Sequence, residues 1–217
     1  MIDSQEAASS PQLEALPPSK PNDSNPEAGE QSQVIPPGQS EKAMRGMPLR
    51  YEKCRVADLV VVISSMLEEL CEANASISLN SNSLTRFHSR SPPGVSIKDY
   101  LGRLAKHACL IPPILLTMVF LIDRLCELYP SFQLNALTVH RYLIASATIT
   151  CKGLSDAFLK NDVYAKVGGV QVRELAILEL ELLWRLNWRI VPRPDQLDTY
   201  YRSLVERCPG YLLDPEP

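Results

Sequence analysis

The sequence predicts an all-α fold with five core helices and one flanking helix on each side. Apolar residues recur at helical spacing through most of the chain after residue 50, and no long alternating strand pattern interrupts them. Proline and glycine stand where one periodic segment gives way to the next, as expected between helices. With 217 residues, the chain is long enough for one domain and a tail.

The first 48 residues are predicted to be a disordered tail rich in proline and serine. Eight of the eighteen prolines lie in the first fifty residues, and the first aromatic residue is Tyr51. Such a segment cannot bury enough apolar surface to offset the entropy cost of ordering it. The folded domain is therefore predicted to span residues 49–213.

Capping and breaking residues set the predicted helix boundaries. Ser96 and Asp99 have the spacing of a capping box at the start of one helix. Pro112 and Pro113 end that helix and begin the next, because proline suits the first helical turn. Gly169 closes a short helix, because glycine adopts a positive φ without strain. The predicted helices cover residues 55–73, 97–110, 113–129, 135–152, 156–167, 170–188 and 196–207.

Composition and charge argue against several classes of partner. A net charge of −3 and a pI near 5.7 do not indicate the basic surface that would bind nucleic acid or an anionic membrane. The longest apolar run, residues 110–122, is too short to span a bilayer, and the N-terminus has no secretory pattern. The six cysteines form no CxxC pair, which indicates a reducing compartment, the nucleus or the cytoplasm.

The sequence also lacks the patterns of a catalytic or metal-binding protein. The three histidines lie far apart and share no ligand spacing with cysteines or acidic residues. The glycine-rich stretch "KVGGVQ" follows no strand and lacks the lysine of a phosphate-binding loop. No nucleophile has a base at a recognisable spacing. We therefore predict no metal, no cofactor and no enzymatic activity.

Two charged residues interrupt apolar stretches of the predicted helices. Lys152 ends a run that contains no other charge from Tyr142 onward. Glu179 lies in the middle of a stripe whose neighbours at helical spacing include Leu175 and Leu182. One explanation is an ion pair that joins two helices within the chain. The other is a docking site at which both charges contact a partner, since such pairs often serve specificity more than stability.

The stretches "FLIDRL", "CKGLSDAF" and "YAKVGGVQVRELAILELELLWRLNW" resemble the cyclin box, and most closely its phosphate-regulatory, PREG-like branch with the plant P/U-type cyclins. The resemblance spans about residues 84–213. It implies a single five-helix cyclin box that binds and activates a cyclin-dependent protein kinase, which then acts on its substrates. The alternative is a cyclin-fold helical scaffold or transcription adaptor that activates no kinase.

The resemblance also assigns candidate kinase-binding residues. Lys152 and Glu179 fall on the family's lysine and glutamate that contact the kinase helix carrying a catalytic glutamate, so both charges are expected to face outward. Leu183 and Ile190 fall on further contact positions, and Leu154 is another candidate. For these apolar residues, ordinary core packing is the alternative.

Asp156, in "GLSD", has two interpretations. Its carboxylate could replace the phosphate that normally holds the arginines of a kinase activation segment. Alternatively, it could be the N-cap of the short helix that follows.

Two Ser-Pro pairs, at Ser10 and Ser91, are candidate sites for a proline-directed kinase. A further expectation concerns the first box helix, in which "IKDYLGRL" replaces the Met-Arg-Ala-Ile-Leu motif of the major cell-cycle cyclins. The arginine of that motif pairs with an aspartate that corresponds to Asp123. We expect Arg103 to take over this pairing.

Overall fold

The computed structural model describes residues 44–77 and 84–215, and in these ranges the chain forms seven α-helices and a two-stranded parallel sheet. The predicted all-α class is therefore confirmed. The helices are α1 Val56–Ala73, α2 Ile97–His107, α3 Pro112–Leu128, α4 Val139–Leu154, α5 Asn161–Gly168, α6 Val172–Arg185 and α7 Pro194–Arg207. The strands are β1 Arg45–Met47 and β2 Tyr211–Leu213, and a 3-10 turn covers Tyr51–Lys53.

The core is built around α3 and α4, which pack against each other and bury side chains on most of their faces. Helix α6 packs on α4, α5 packs on both of them, and α2 packs on α4. Helices α1 and α7 lie outside these five and pack on α3. Because α4 contacts α5 and α6, its C-terminal end is placed beside both of these helices.

Local caps explain where several helices begin and end. The backbone N–H of Asp99 donates to the Ser96 hydroxyl at 3.0 Å, as the capping-box spacing predicted. Pro112 occupies the first turn of α3, and Gly169 ends α5 with φ of 69°. A glycine is favoured there because the left-handed region is costly for other residues.

Helix α4 begins later than predicted, at Val139 instead of residue 135. The Thr138 hydroxyl donates to the Gln133 carbonyl at 2.9 Å and accepts from the Asn135 backbone N–H at 2.9 Å. These bonds hold the preceding residues in a turn. Serine, threonine and asparagine side chains often compete with helical backbone pairing in this way.

Helix α6 ends earlier than predicted, at Arg185, because Asn187 and Trp188 have φ of 51° and 60°. Non-glycine residues seldom adopt this left-handed conformation, so the helical pattern of "WRLNW" gave no warning of it. The backbone N–H of Trp188 donates to the Leu183 carbonyl at 2.9 Å. This bond satisfies a carbonyl at the end of the helix and reverses the chain.

Residues 45–47, which the prediction placed in the tail, form part of the packed structure. Strand β1 pairs in parallel with β2, and Met47 is buried in the core. Arg45 forms an ion pair with the buried Asp58 at 3.0 Å. Residues 1–43 of the predicted tail lie outside the described ranges.

All six cysteines are free thiols, and three of them are buried. Burial raises the pKa of Cys71 to about 11 and raises that of Cys151, which directly precedes Lys152. Both residues are therefore neutral at physiological pH and pack as small apolar side chains. In the described ranges, no helix is long and apolar enough to cross a membrane, and no cluster of metal-ligating side chains is present.

The interface between α3 and α4 contains one buried hydroxyl whose removal is a test of the fold. The Tyr142 hydroxyl donates to the Met118 carbonyl at 2.6 Å, and the side chain is fully buried. We expect Tyr142→Phe to lower the free energy of unfolding by about 1 kcal/mol, the usual value of one internal hydrogen bond. Urea denaturation followed by circular dichroism measures this. Tyr129→Phe is the control, because its hydroxyl has no hydrogen bond within the described residues, and an equal loss there would contradict the assignment.

Candidate functional site

The two anomalous charges lie together. Lys152 lies in the last turn of α4 and Glu179 in the middle of α6, and their Nζ and Oε1 atoms are 2.5 Å apart. The packing of α6 on α4 brings the residues together although they are 27 positions apart. The ion pair proposed from the sequence is therefore present within the chain itself.

A third residue completes the polar cluster. The side-chain amide of Asn161, the first residue of α5, donates to Glu179 Oε2 at 2.7 Å. Each carboxylate oxygen of Glu179 thus has a partner, as a buried charge requires. Sequence reasoning missed Asn161, because only the packing of α5 against α6 places it there.

The two charges differ in their access to solvent. About one third of the Lys152 side chain is exposed (32%), whereas only 9% of the Glu179 side chain is. The expectation that both charges face outward is therefore wrong for Glu179 in this structure, since its carboxylate is turned toward the ion pair and Asn161. Lys152 has three N–H donors, and one of them is used by Glu179.

The chain after α6 returns to the end of α4 and covers it. Because Asn187 and Trp188 are left-handed, the chain turns and Ile190 comes to lie over Gly153. A Cβ atom at position 153 would lie 2.5 Å from Ile190 Cδ1, so the close approach requires glycine or a shift of the isoleucine side chain. This contact places Ile190 beside the ion pair.

These elements enclose an open apolar groove, which we call the α4–α6 groove. It has a volume of about 330 Å³. Leu180 and Trp188 are its most exposed apolar residues, at 59% and 61%. The predicted residues Leu183 and Ile190 both line it. The complete lining is Ile149, Lys152, Gly153, Glu179, Leu180, Leu183, Trp188 and Ile190. Exposed apolar surface of this kind usually marks a binding site.

Trp188 and Leu180 are the groove residues that sequence reasoning missed. In a continuous helix, Trp188 would lie one turn beyond Trp184, and nothing in the sequence separates their roles. The left-handed turn changes the direction of the chain between them and places Trp188 in the groove. Leu180 follows Glu179 directly, and its exposure depends on which α6 face packs on α4.

The remaining candidates lie outside the groove. Leu154 is the last residue of α4 and packs, half-buried, against the core. Asp156 is exposed in the loop that follows, and it does not cap α5, whose N-cap is Lys160. Ser91 is exposed before α2, as a modification site would require. Ser10 lies outside the described residues.

The expected pairing of Arg103 with Asp123 does not occur. Asp123 accepts a hydrogen bond of 2.6 Å from the Tyr200 hydroxyl of α7. Arg103 instead lies over the ring of Tyr100, with its guanidinium carbon 5.0 Å from the ring centroid. The cause is that α2 packs on α1, α4 and α5, while Asp123 of α3 faces the flanking helix α7.

Comparison with known proteins identifies the family to which this chain belongs. The sequence profile of the cyclins matches residues 25–190, well over half of the chain. The chain belongs to the cyclin family. The predicted resemblance to its PREG-like branch is supported by individual relatives. Cyclins are regulatory subunits rather than catalytic enzymes.

Three relatives show the extent of the likeness. The chain is 57% identical over 185 residues to the Nuc-1 negative regulatory protein preg of Neurospora crassa, which covers 83% of the chain and 38% of that protein. It is 43% identical over 172 residues to the PHO85 cyclin PHO80 of Saccharomyces cerevisiae, covering 77% and 58%. It is 32% identical over 163 residues to Cyclin-U4-1 of Arabidopsis thaliana, covering 74% and 80%. The cyclin thus spans less than two thirds of the length of the first two relatives.

Proposed function

We propose that this cyclin binds and activates a cyclin-dependent serine/threonine protein kinase of the phosphate-signalling type. The observation that carries the proposal is the α4–α6 groove, an apolar surface with a preformed Lys152–Glu179 pair beside it, in a chain that belongs to the cyclin family. The relative PHO80 is by name a cyclin of the kinase PHO85. A PHO85-type kinase, hereafter the kinase, is therefore the partner to test.

The proposed mechanism is positional. A helix of the kinase's small lobe would place apolar side chains against Leu183, Trp188 and Ile190, whose side chains already line one groove. Binding would move the catalytic glutamate on that helix into its pairing with the ATP-binding lysine of the kinase. This pairing completes a phosphoryl-transfer site, to which the cyclin contributes no reacting group.

The polar cluster gives the two charges different roles in this mechanism. Lys152 is partly exposed and keeps N–H donors that can bind carbonyl groups on the kinase. Glu179 and Asn161 hold the ammonium group at the groove, so the cost of ordering the lysine is met before binding. Leu154 is proposed as a peripheral contact at the same end of α4.

Co-purification with the kinase is the direct test. We expect the tagged cyclin to retain the kinase from a mixture of purified proteins and to increase its activity on a peptide substrate. Retention without activation would support the alternative function, a cyclin-fold scaffold or transcription adaptor. No retention at micromolar concentrations would contradict the proposal as a whole.

Asp156 offers a separate prediction about the kinase activation segment. This carboxylate is exposed in the loop next to the groove and has no ion pair within the described residues. If it replaces an activating phosphate, Asp156→Asn should lower the activity of a complex whose kinase cannot be phosphorylated there. We expect a loss of about tenfold, in line with one charge-assisted hydrogen bond.

The control for this experiment is Asp162→Asn, which neutralises an exposed carboxylate in the first turn of α5. Kinase activity is measured at saturating cyclin, so that a change in affinity does not contribute. Equal activity of the Asp156→Asn and unmodified complexes would show that this residue does not replace the phosphate.

We further propose that the complex works in the nucleus, the cytoplasm or both, and phosphorylates its substrates there. Ser91 is proposed as a site that the kinase modifies on its own cyclin, because its Ser-Pro pair is exposed. Phosphopeptide mapping of the complex after incubation with ATP tests this, and an unmodified Ser91 would exclude it under those conditions.

A further inference from the structure

Helix α6 carries a second apolar stripe that faces outward and does not belong to the fold's core. Ile177, Leu180 and Trp184 follow one another at spacings of three and four, so they lie on one side of the helix. They are 40%, 59% and 73% exposed. The buried side of α6 is formed by other residues, namely Leu175, Leu178 and Leu182. An amphipathic helix needs only one apolar side to pack on the core. A second, exposed apolar side therefore indicates a surface that binds another molecule.

This stripe borders a groove whose lining does not include Lys152 or Glu179. We call it the Trp184 groove, and it has a volume of about 440 Å³. Its lining is Arg86, Tyr129, Ile177, Leu180, Glu181, Trp184 and Arg185. Leu180 is the one residue shared by the lining sets of the Trp184 groove and the α4–α6 groove.

One wall of the Trp184 groove is held in place before any partner binds. The Arg185 guanidinium lies over the Tyr129 ring at 4.7 Å from its centroid. The same guanidinium forms an ion pair with Glu181 at 2.7 Å. A cation over an aromatic ring and a salt bridge together restrict these side chains, so little conformational freedom is lost on binding.

The charges around the groove indicate what would bind there. Arg86 and Arg173 are both exposed. Within the described residues, neither guanidinium group has a carboxylate partner. Arg173 lies one turn before Ile177 on the same stripe, and both arginines line the surface next to it. Arg185 and Glu181 neutralise each other, as do Arg141 and Glu174. The unpaired charge at this surface is therefore positive.

We propose that the Trp184 groove binds a linear peptide segment of a second partner protein, in which large apolar side chains stand next to carboxylates. The apolar side chains would cover Ile177 and Trp184, and the carboxylates would pair with Arg86 and Arg173. Tryptophan is among the residues most enriched at binding hot spots, the few positions that supply most of the binding energy. The proposal does not depend on kinase binding, because these residues lie outside the Lys152–Glu179 pair.

A display library of random twelve-residue peptides tests the proposal, with the complete chain as the target. We expect the selected peptides to combine aspartate or glutamate with leucine, phenylalanine or tryptophan. Synthetic versions should lose about tenfold or more in affinity on Trp184→Ala, measured by fluorescence anisotropy. Arg86→Glu and Arg173→Glu should weaken them as well, and lysine-substituted peptides should regain affinity for these two variants.

Matched controls separate this site from general effects. Lys98→Glu changes an exposed charge on α2, and Leu212→Ala removes an exposed apolar side chain on β2, so neither should alter peptide affinity. Lys152→Ala should leave peptide binding unchanged, while Trp184→Ala should leave kinase binding unchanged. These two results keep the proposal distinct from the proposed kinase docking.

Several outcomes would overturn the proposal. Selected peptides without acidic residues would contradict the charge argument, and affinity that is unaffected by Trp184→Ala would contradict the location. Self-association of the chain that is lost in Trp184→Ala, measured by sedimentation, would show that a second copy occupies the groove instead.

Discussion

Glu179→Ala will weaken binding of the kinase by more than tenfold and will cost the isolated chain less stability than Lys152→Ala does. Glu179 holds the Lys152 ammonium at the α4–α6 groove through a 2.5 Å contact. Truncating one member of a hydrogen-bonded charge pair at an interface typically costs about 2–5 kcal/mol of binding. In the free chain, by contrast, the Lys152 that remains is one third exposed and can be solvated. The change also leaves the Asn161 amide without its acceptor, so we expect the free energy of unfolding to fall by about 1–3 kcal/mol.

Lys152→Ala provides the matched comparison. It leaves the buried Glu179 with Asn161 as the hydrogen-bond partner of its carboxylate. A buried charge that loses its counter-ion is costly, so this variant should be less stable than Glu179→Ala. Kinase affinity, measured by surface plasmon resonance, should fall in both variants and no further in the double variant, because the pair acts as a unit. If the double variant binds the kinase as tightly as the unmodified chain does, the pair is purely structural.

Trp188→Gly will lower kinase affinity while leaving the free energy of unfolding nearly unchanged. It removes a 61% exposed ring from the groove, so kinase affinity should fall by at least about tenfold. The same change places glycine at a position with φ of 60°. This left-handed conformation costs residues other than glycine about 1–2 kcal/mol, so the substitution removes that strain. This relief offsets the greater unfolded-state entropy of glycine, about 0.5–1 kcal/mol. The free energy of unfolding should therefore change by less than about 1 kcal/mol.

Asn187→Gly is the control for the tryptophan variant. Asn187 has φ of 51° but does not line the groove, so its replacement relieves the same kind of strain without removing a contact. We expect its kinase affinity to remain within about twofold of the unmodified chain, since only interface side chains should affect dissociation. Comparable losses in both glycine variants would mean that the rigidity of the turn, and not the ring, governs binding.

The sequence predicts the helical order and the position of the charge pair, because both depend on local pattern. Lys152 and Glu179 are conspicuous as charges in apolar stretches, and their neighbours reveal this without any knowledge of the fold. Whether Glu179 faces outward could not be predicted in this way. Its burial depends on Asn161, whose position is fixed by the packing of α5.

Turns and short strands limit what the sequence can predict. Trp188 reads as part of a helix, and only its positive φ places it in the groove. Strand β1 contains three residues, too few to show an alternating pattern, and its partner β2 lies at the other end of the domain. The strand pairing depends on contacts distant in sequence, which outweigh local preference.

Activation is measured as the rate at which the purified kinase phosphorylates a peptide substrate, with and without this chain. We expect the unmodified chain to raise the rate by more than about tenfold, because it completes the kinase active site. At equal concentration, Trp188→Gly should give only a small part of that increase while remaining folded. A kinase that binds the unmodified chain at saturation without any rise in rate would show that this chain does not activate it.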